Sequence, residues 1–281
     1  MELTIFEIFK VIFLGIVEGI TEWLPISSTG HMLLVDEFLQ INASEAFKEM
    51  FFVVIQLGAI MAVVLMFWKK MWPFNLKDKS RPFIKRHIFD MWFKVVVACI
   101  PGAVVTILFD DYIESHFHTP LVIAATLIIY GILFIVIENN HKGMIPDVKK
   151  LSDITYKHAL IIGLFQVLSI IPGTSRSGST IIGALLIGVS RVAAAEFTFF
   201  LAIPVMVGAS LLQFLKNVSG VLSFTVFEWI YLFAGFAVAF AVSMLCIKWL
   251  MSFVRNHDFK PFGWYRIALG ALVLATMVIP A

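Results

Sequence analysis

Apolar residues fill most of this chain, and the lengths over which they run unbroken decide what it can fold into. A helix needs about 20 mostly apolar residues to cross a bilayer, with a lower limit near 17, whereas runs of about 10–14 suit re-entrant or interfacial segments. Six runs, near 51–68, 91–109, 120–138, 197–215, 229–250 and 263–280, are long enough. Two other apolar regions are interrupted. Region 4–39 is broken by Glu18, Glu22, Pro25 and the Ser27-Ser28-Thr29-Gly30 run, and region 158–190 by IPGTSRSGST at 171–180. Non-helical backbone at membrane depth is tolerated only where protein buries it or where it lines a wet cavity. The expected fold is therefore an all-α polytopic membrane protein with six full spans and two re-entrant helical hairpins.

Composition and charge agree. Of the 281 residues, 60% are hydrophobic and 14% charged, against roughly 45–50% and about 25% in a soluble domain. A net charge of +2 argues against nucleic acid as a partner. The N-terminal MELTIFEIFK has no basic region, so insertion is expected through the mature helices and not through a removed signal peptide. Cys99 and Cys246 stand alone in apolar runs, outside any metal or redox spacing, and read as core residues.

Basic residues bunch in two connections: Lys69, Lys70, Lys77, Lys79, Arg81, Lys85 and Arg86 after the first span, and Lys142, Lys149, Lys150 and Lys157 after the third. The positive-inside rule places both in the cytoplasm. The acidic stretches 36–49 and 110–119, and 216–228 with its single Lys216, are expected to face outward.

An offset of 148 residues sets Gly15 on Gly163, Glu18 on Gln166, Thr21 on Ser169, Ser27 on Ser175, Thr29 on Ser177 and Gly30 on Gly178; Pro25 meets Pro172 after a shift of one. Each unit, about 1–140 and 155–281 of one membrane domain spanning 1–281, is then a hairpin followed by three spans. An odd number of crossings per unit makes the second unit upside down. In such inverted-topology repeats, sites form near mid-membrane where the broken helices meet.

The polar residues of the two breaks define a chemistry. Glu18 and Glu22 lie one helical turn apart on one face, and burying either in a bilayer costs a few kcal/mol or more, so a cation should compensate. Arg176 is the candidate, because a guanidinium offers a planar donor fork to phosphate. Thr174, Ser175 and Ser177 around it, with Ser27 and Thr29 in the first break, complete a cradle of hydroxyls and small residues for an oxyanion. His31 follows the hydroxyl run directly, where it can serve as general acid or base. The other histidines, His87, His116, His118, His141, His158 and His257, fall in or beside loops and read as solvated. Arg191 reads as an interfacial arginine that snorkels to the cytoplasmic surface. Carboxylates can hold a divalent cation that bridges phosphate oxygens, while the arginine neutralises the remainder of a diphosphate. This is the donor set of a phosphoryl-transfer site, and its apolar surround suits a phosphate-bearing lipid.

The segments EGITEWLPISSTGH at 18–31 and PGTSRSGST at 172–180 closely resemble the two signature motifs of the undecaprenyl-diphosphate phosphatases of the bacitracin-resistance type. The resemblance covers essentially the whole chain in length, motif order and span pattern. It implies a bacterial inner-membrane enzyme that hydrolyses undecaprenyl diphosphate and recycles the carrier lipid for cell-wall synthesis. It also implies dependence on Mg²⁺ or Ca²⁺ and a site open to the extracytoplasmic side. Carried over by position, the acidic motif falls on Glu18 and Glu22, the hydroxyl and histidine residues on Ser27, Ser28, Thr29 and His31, and the arginine motif on Ser175 and Arg176. The roles expected are diphosphate binding by Arg176, metal holding or proton transfer by Glu22 and Glu18, and attack by Ser28 or a water with His31 assisting. The partners expected are an isoprenoid diphosphate and bilayer lipids; the sequence is compatible with a homo-oligomer without requiring one. An isoprenoid-phosphate flippase using the same cradle is the competing reading, since inverted repeats with broken helices recur in transporters. A histidine-nucleophile lipid phosphatase is disfavoured, because SSTGH stands where PSGH is needed and no histidine closely follows Arg176.

Overall fold

The computed structural model describes residues 5–75, 82–217, 221 and 224–278. It is helical throughout: among the described residues the only extended pairings are two single-residue bridges, Phe74 with Ile84 and Val148 with Val189. The helices are α1 (Ile5–Thr21), α2 (Ser28–Phe38), α3 (Glu45–Met66), the one-turn α4 (Trp68–Met71), α5 (Arg86–Phe117), α6 (Pro120–Asn140), α7 (Tyr156–Val167), α8 (Arg176–Leu186), α9 (Arg191–Lys216), α10 (Val226–Phe253) and α11 (Lys260–Val278).

Five of these, α3, α5 over Arg86–Phe109, α6, α9 and α10, are long and apolar enough to cross a membrane, so the chain is a multi-pass membrane protein. The expected sixth run, 263–280, is helical as α11 but is not among the five, and residues 279–281 lie outside the described region. Lys260 and Arg266 dilute its apolar character. The connections also differ from expectation. Helix α5 continues to Phe117, so most of 110–119 is helix and not loop. At about 1.5 Å per residue its 32 residues run close to 48 Å, well beyond a hydrocarbon core of about 30 Å. Likewise α3 starts at Glu45 behind the Ser44 cap, which puts Glu45 and Glu49 in its first turns. Lys77, Lys79 and Arg81 lie outside the described residues.

The surface is apolar where lipid would lie. Along α1, Phe6, Phe9, Phe13, Ile16 and Ile20 are exposed at helical three- and four-residue spacing, whereas Val11, Leu14, Glu18 and Thr21 are buried. Polar groups thus point inward, the reverse of a soluble amphipathic helix. Without a hydrophobic drive between helices in lipid, packing relies on close approach of small residues. Gly131 of α6 and Gly263 of α11 face each other's backbone: a Cβ on either would meet the other's carbonyl oxygen at 2.6 or 2.7 Å. Helix α1 packs along α10, α7 along α5, and α6 along α11. The interior is filled by aromatics, with Trp23 edge-on to Phe199 at 5.4 Å and Phe67 edge-on to Phe200 at 5.4 Å.

Candidate active site

Both polar breaks interrupt a helix in the same way. Pro25 cannot donate a backbone hydrogen bond and disfavours helical geometry in the residue before it, so α1 ends and the chain turns through 22–27. Ser27 then caps α2: its Oγ accepts from the N–H of Gly30 at 3.3 Å, with Ser27 itself at φ 74°, ψ 102°. In the second break, Pro172 and Gly173 precede Ser175, which sits at φ 73°, ψ 123° and accepts from the N–H of Gly178 at 3.1 Å. Among the described residues these serines are the two non-glycine positions with positive φ. Such a conformation costs about 1–3 kcal/mol and persists where the surroundings impose it.

The two turns meet. The Ser177 hydroxyl donates to the carbonyl of Leu24 at 3.2 Å and lies 3.1 Å from the Ser175 hydroxyl. Arg176, first residue of α8, sends Nη2 to Glu22 Oε1 at 2.8 Å and Nη1 to the Thr198 carbonyl of α9 at 3.1 Å. The other oxygen of Glu22 accepts from Ser28 Oγ at 3.0 Å. The Glu22 and Arg176 side chains are 10% and 11% exposed, so neither is a solvated surface charge and neither is sealed off. With α2 beginning at Ser28 and α8 at Arg176, the positive ends of two helix dipoles bracket this cluster, an arrangement that favours an anion.

Glu18 lies one turn before Glu22 and is 2% exposed, with Oε1 lacking any hydrogen-bond partner. A buried carboxylate oxygen without a partner is costly unless a cation or proton meets it. Hard divalent cations, Mg²⁺ especially, are held by one or two carboxylates together with substrate phosphate oxygens. The Glu18–Glu22 pair fits that donor set. Among the described residues no group of three or more His, Cys, Asp or Glu converges, so phosphate and water oxygens would complete the shell.

The remaining predicted residues take distinct places. His31 Nδ1 lies 2.7 Å from the Ser27 carbonyl, and Nε2 lies 2.7 Å from the hydroxyl of Tyr265, whose ring stacks on it. A carbonyl only accepts, so Nδ1 carries a proton; when the ring is neutral, Nε2 accepts from Tyr265. Both ring nitrogens are thus engaged, and the hydrogen-bond partner of Ser28 is Glu22 instead of His31. Thr29 is exposed on α2. Thr174 is 1% exposed with its hydroxyl unpartnered. The hydroxyls of Ser27, Ser175 and Ser177 are spent on the turns' own backbone.

Two residues absent from the sequence-based site also converge here, Tyr265 and Arg266. Arg266 is fully buried and reaches across both breaks, from Nη1 to the Pro25 carbonyl at 3.2 Å and from Nη2 to the carbonyls of Gly173 and Thr174 at 2.9 Å each. An arginine in the middle of an apolar run is itself a signal of function, and the 263–280 run holds one. Arg191 keeps a part-exposed side chain, at 36%, and its guanidinium is also bound by both oxygens of Glu138, a carboxylate that is 2% exposed and ends the apolar run 120–138.

Fold and site together define a class: a multi-pass helical membrane protein in which two broken helices set a carboxylate pair, a serine and an arginine against one another. The family model described as "Bacitracin resistance protein BacA" matches residues 11–272. The chain belongs to this family. It is 67% identical over 279 residues to the "Undecaprenyl-diphosphatase" of Enterococcus faecalis, covering 99% of this chain and 100% of that protein. Similar proteins of the same name occur in Lachnoclostridium phytofermentans, 62% identical with 95% of this chain and 96% of that protein covered, and in Desulfitobacterium hafniense, 59% identical with 95% of each covered.

Proposed function

We propose that this protein is a membrane phosphatase that hydrolyses undecaprenyl diphosphate to undecaprenyl phosphate and inorganic phosphate, returning the carrier lipid to cell-wall synthesis and acting in bacitracin resistance. The observation that carries this reading is the Glu22–Arg176 pair beside Ser28, in a chain similar along its whole length to proteins named for that activity.

The chemistry follows from the contacts. Arg176 binds the diphosphate: the incoming phosphate takes Nη2 from Glu22, while the Thr198 carbonyl keeps the guanidinium oriented through Nη1. Ser28 Oγ attacks the terminal phosphorus and passes its proton to Glu22 Oε2, already its hydrogen-bond partner. The new Oγ–P bond forms as the bond from that phosphorus to the bridging oxygen breaks, and the electron pair leaves on undecaprenyl phosphate. Glu22 hands that proton to the departing phosphate oxygen and, ionised again, takes a proton from water, whose oxygen attacks the phosphorus and displaces Oγ. Glu22 returns this proton to Ser28 Oγ as inorganic phosphate departs. His31 fixes the Ser27 carbonyl, hence the position of Ser28, and offers Nε2 for proton exchange with Tyr265. A divalent cation, Mg²⁺ or Ca²⁺, would be held by Glu18 and Glu22 and, when bound, neutralises charge on the phosphate oxygens.

The architecture behind this site is read as two re-entrant hairpins, α1–α2 and α7–α8, in an inverted repeat of units 1–140 and 155–281 within one membrane domain. Supporting it, the paired serines adopt matching backbone angles and matching caps. Helix α1 of the first unit packs on α10 of the second, as α7 of the second packs on α5 of the first. The protein is read as lying in the bacterial inner membrane with its working site on the extracytoplasmic side. Supporting the orientation, basic residues such as Lys69, Lys70, Lys142 and Lys149 bunch in two connections, as they do in cytoplasmic loops.

The deciding experiment is release of inorganic phosphate from undecaprenyl diphosphate by purified protein in detergent, where no second compartment exists. Turnover is expected. Binding of the lipid without phosphate release would overturn the reading and favour a flippase.

A further inference from the structure

A polar cavity that shares no residue with the candidate active site opens at the end of the bundle that carries the basic connections. Its volume is about 1240 Å³, and its described lining holds seven lysines and arginines against two acids, Asp90 and Glu196. Those acids are already committed, Glu196 to Lys70 at 2.6 Å and Asp90 to Lys94 at 2.6 Å. Lys69, Arg86, Lys149 and Lys150 line the cavity with no acidic partner among the described residues. Like charges gathered in one concavity raise a positive potential there, which attracts an anion.

Both walls are fixed by backbone pairing. On one side, the Lys85 N–H donates to the Pro73 carbonyl at 2.8 Å and the Asn75 N–H to the Phe83 carbonyl at 2.7 Å, next to the Phe74–Ile84 bridge. On the other, Ser190 N–H donates to the Val148 carbonyl at 2.8 Å, and the Ser190 hydroxyl donates to the Lys149 carbonyl at 3.0 Å. Lys149 and Lys150 are therefore presented on a braced strap. Helix α5 starts within this cavity, and its N-cap residue, Lys85, makes no side-chain cap bond. Apolar side chains lie next to the lining in sequence: Ile84 lines the cavity at 47% exposure, the adjacent Phe83 is 59% exposed, and Trp68, next to the lining residue Lys69, is 45% exposed and stacks on Trp72 at 4.7 Å. Aromatic pairs of this kind sit at the headgroup level of a bilayer, and basic pockets between membrane helices suit lipid phosphates.

We propose that this cavity is an anion site for a phosphate group, supplied by the headgroup of an anionic phospholipid whose chains leave past Ile84 and Phe83, or by free phosphate. The test uses the full-length protein in nanodiscs of phosphatidylcholine containing phosphatidylglycerol, comparing wild type with the triple variant Arg86→Gln/Lys149→Ala/Lys150→Ala. Lys142→Ala, an exposed cation of the same basic connection that does not line the cavity, serves as control. Retention of phosphatidylglycerol is expected to fall about tenfold or more in the triple variant and to stay near wild type in the control, as three lost charges at a lipid phosphate require. Phosphate release from the lipid diphosphate in detergent should be unchanged in the triple variant, which also verifies that it folds. Retention that survives excess inorganic phosphate assigns the site to the headgroup. Binding of inorganic phosphate in lipid-free detergent, lost in the triple variant, assigns it to the soluble anion. Neither ligand lost in the triple variant, or an equal loss in Lys142→Ala, would overturn the proposal.

Discussion

Glu22 and Arg176, 154 residues apart in the chain, are joined by a 2.8 Å ion pair that ties the first helix break to the second. Each is held by a further partner, Glu22 by Ser28 and Arg176 by the Thr198 carbonyl. The pair therefore fastens one turn to the other, and in the proposed mechanism it is where an anionic substrate would exchange for a carboxylate.

Arg176→Ala removes the counter-charge of Glu22 and, on the proposed mechanism, the group that binds the diphosphate. Phosphate release should fall by about 10²–10³-fold, the scale expected when a transition-state donor is lost. Arg176→Lys should not restore it, since an ammonium is a point charge that cannot bind phosphate and the Thr198 carbonyl in the same fork. Steady-state phosphate release from purified variants measures both, and near-normal turnover in the lysine variant would remove the bidentate role.

Ser28 and Ser27 are neighbours with different work. Ser28→Ala should abolish turnover while leaving thermal stability close to wild type, because among the described residues its hydroxyl bonds only to Glu22. Ser27→Ala should lower stability by about 1 kcal/mol through loss of the α2 cap, with a smaller effect on rate. Glu22→Gln should lower turnover about 10²–10⁴-fold by removing the base. Acid quenching during turnover should trap phosphate on Ser28 of the wild type, and its absence with turnover intact would leave water as the direct nucleophile.

Chelation tests the unpartnered Glu18 oxygen. A chelator should abolish phosphate release, with Mg²⁺ or Ca²⁺ restoring it. In Glu18→Gln the metal concentration for half-maximal rate should rise about tenfold or more, on the scale by which altered metal-site ligation weakens binding. Activity indifferent to chelator would exclude the cation.

Much of this is legible in the sequence for definite physical reasons. Helix breaks at 22–27 and 171–175 follow from Pro25, Pro172 and Gly173 in otherwise apolar runs, and a buried Glu22 demands a cation that Arg176 can supply. What sequence does not carry is distance. Pairing Ser28 with Glu22 and not with His31 depends on rotamers, and the capture of Arg191 by Glu138 depends on two helices 53 positions apart coming together. Arg266 was within reach of the rule that singled out Glu18, yet counting 263–280 as a plain span passes over it.

Close helix packing makes its own demand. A Cβ on Gly58 of α3 would stand 2.5 Å from the Phe236 carbonyl of α10, whereas one on Gly208 of α9 meets nothing within 4 Å. Gly58→Ala should therefore destabilise by about 1–3 kcal/mol, the cost of overpacking, and Gly208→Ala should be neutral or slightly stabilising. Thermal unfolding of the two variants in detergent gives the comparison, and equal midpoints would mean that α3 and α10 are free to separate.

Arg266 offers the sharpest separation of positioning from chemistry. Its hydrogen bonds go not to Glu22 or Ser28 but to the Pro25, Gly173 and Thr174 carbonyls, one from the first break and two from the second. Arg266→Met keeps most of the volume and leaves three buried carbonyls without a donor, at about 1–3 kcal/mol for each group left unsatisfied. The turns should then drift apart, taking Ser28 away from the Arg176 fork. Two readouts follow: a lowered unfolding midpoint, and a kcat loss larger than any change in KM, because the interaction spoiled is the alignment of attacking and binding groups. Arg266→Lys, with one ammonium facing three carbonyls, should recover part of the stability and little of the rate. A methionine variant with unchanged kcat would show that the two turns hold their geometry through Glu22–Arg176 and Ser177–Leu24 alone.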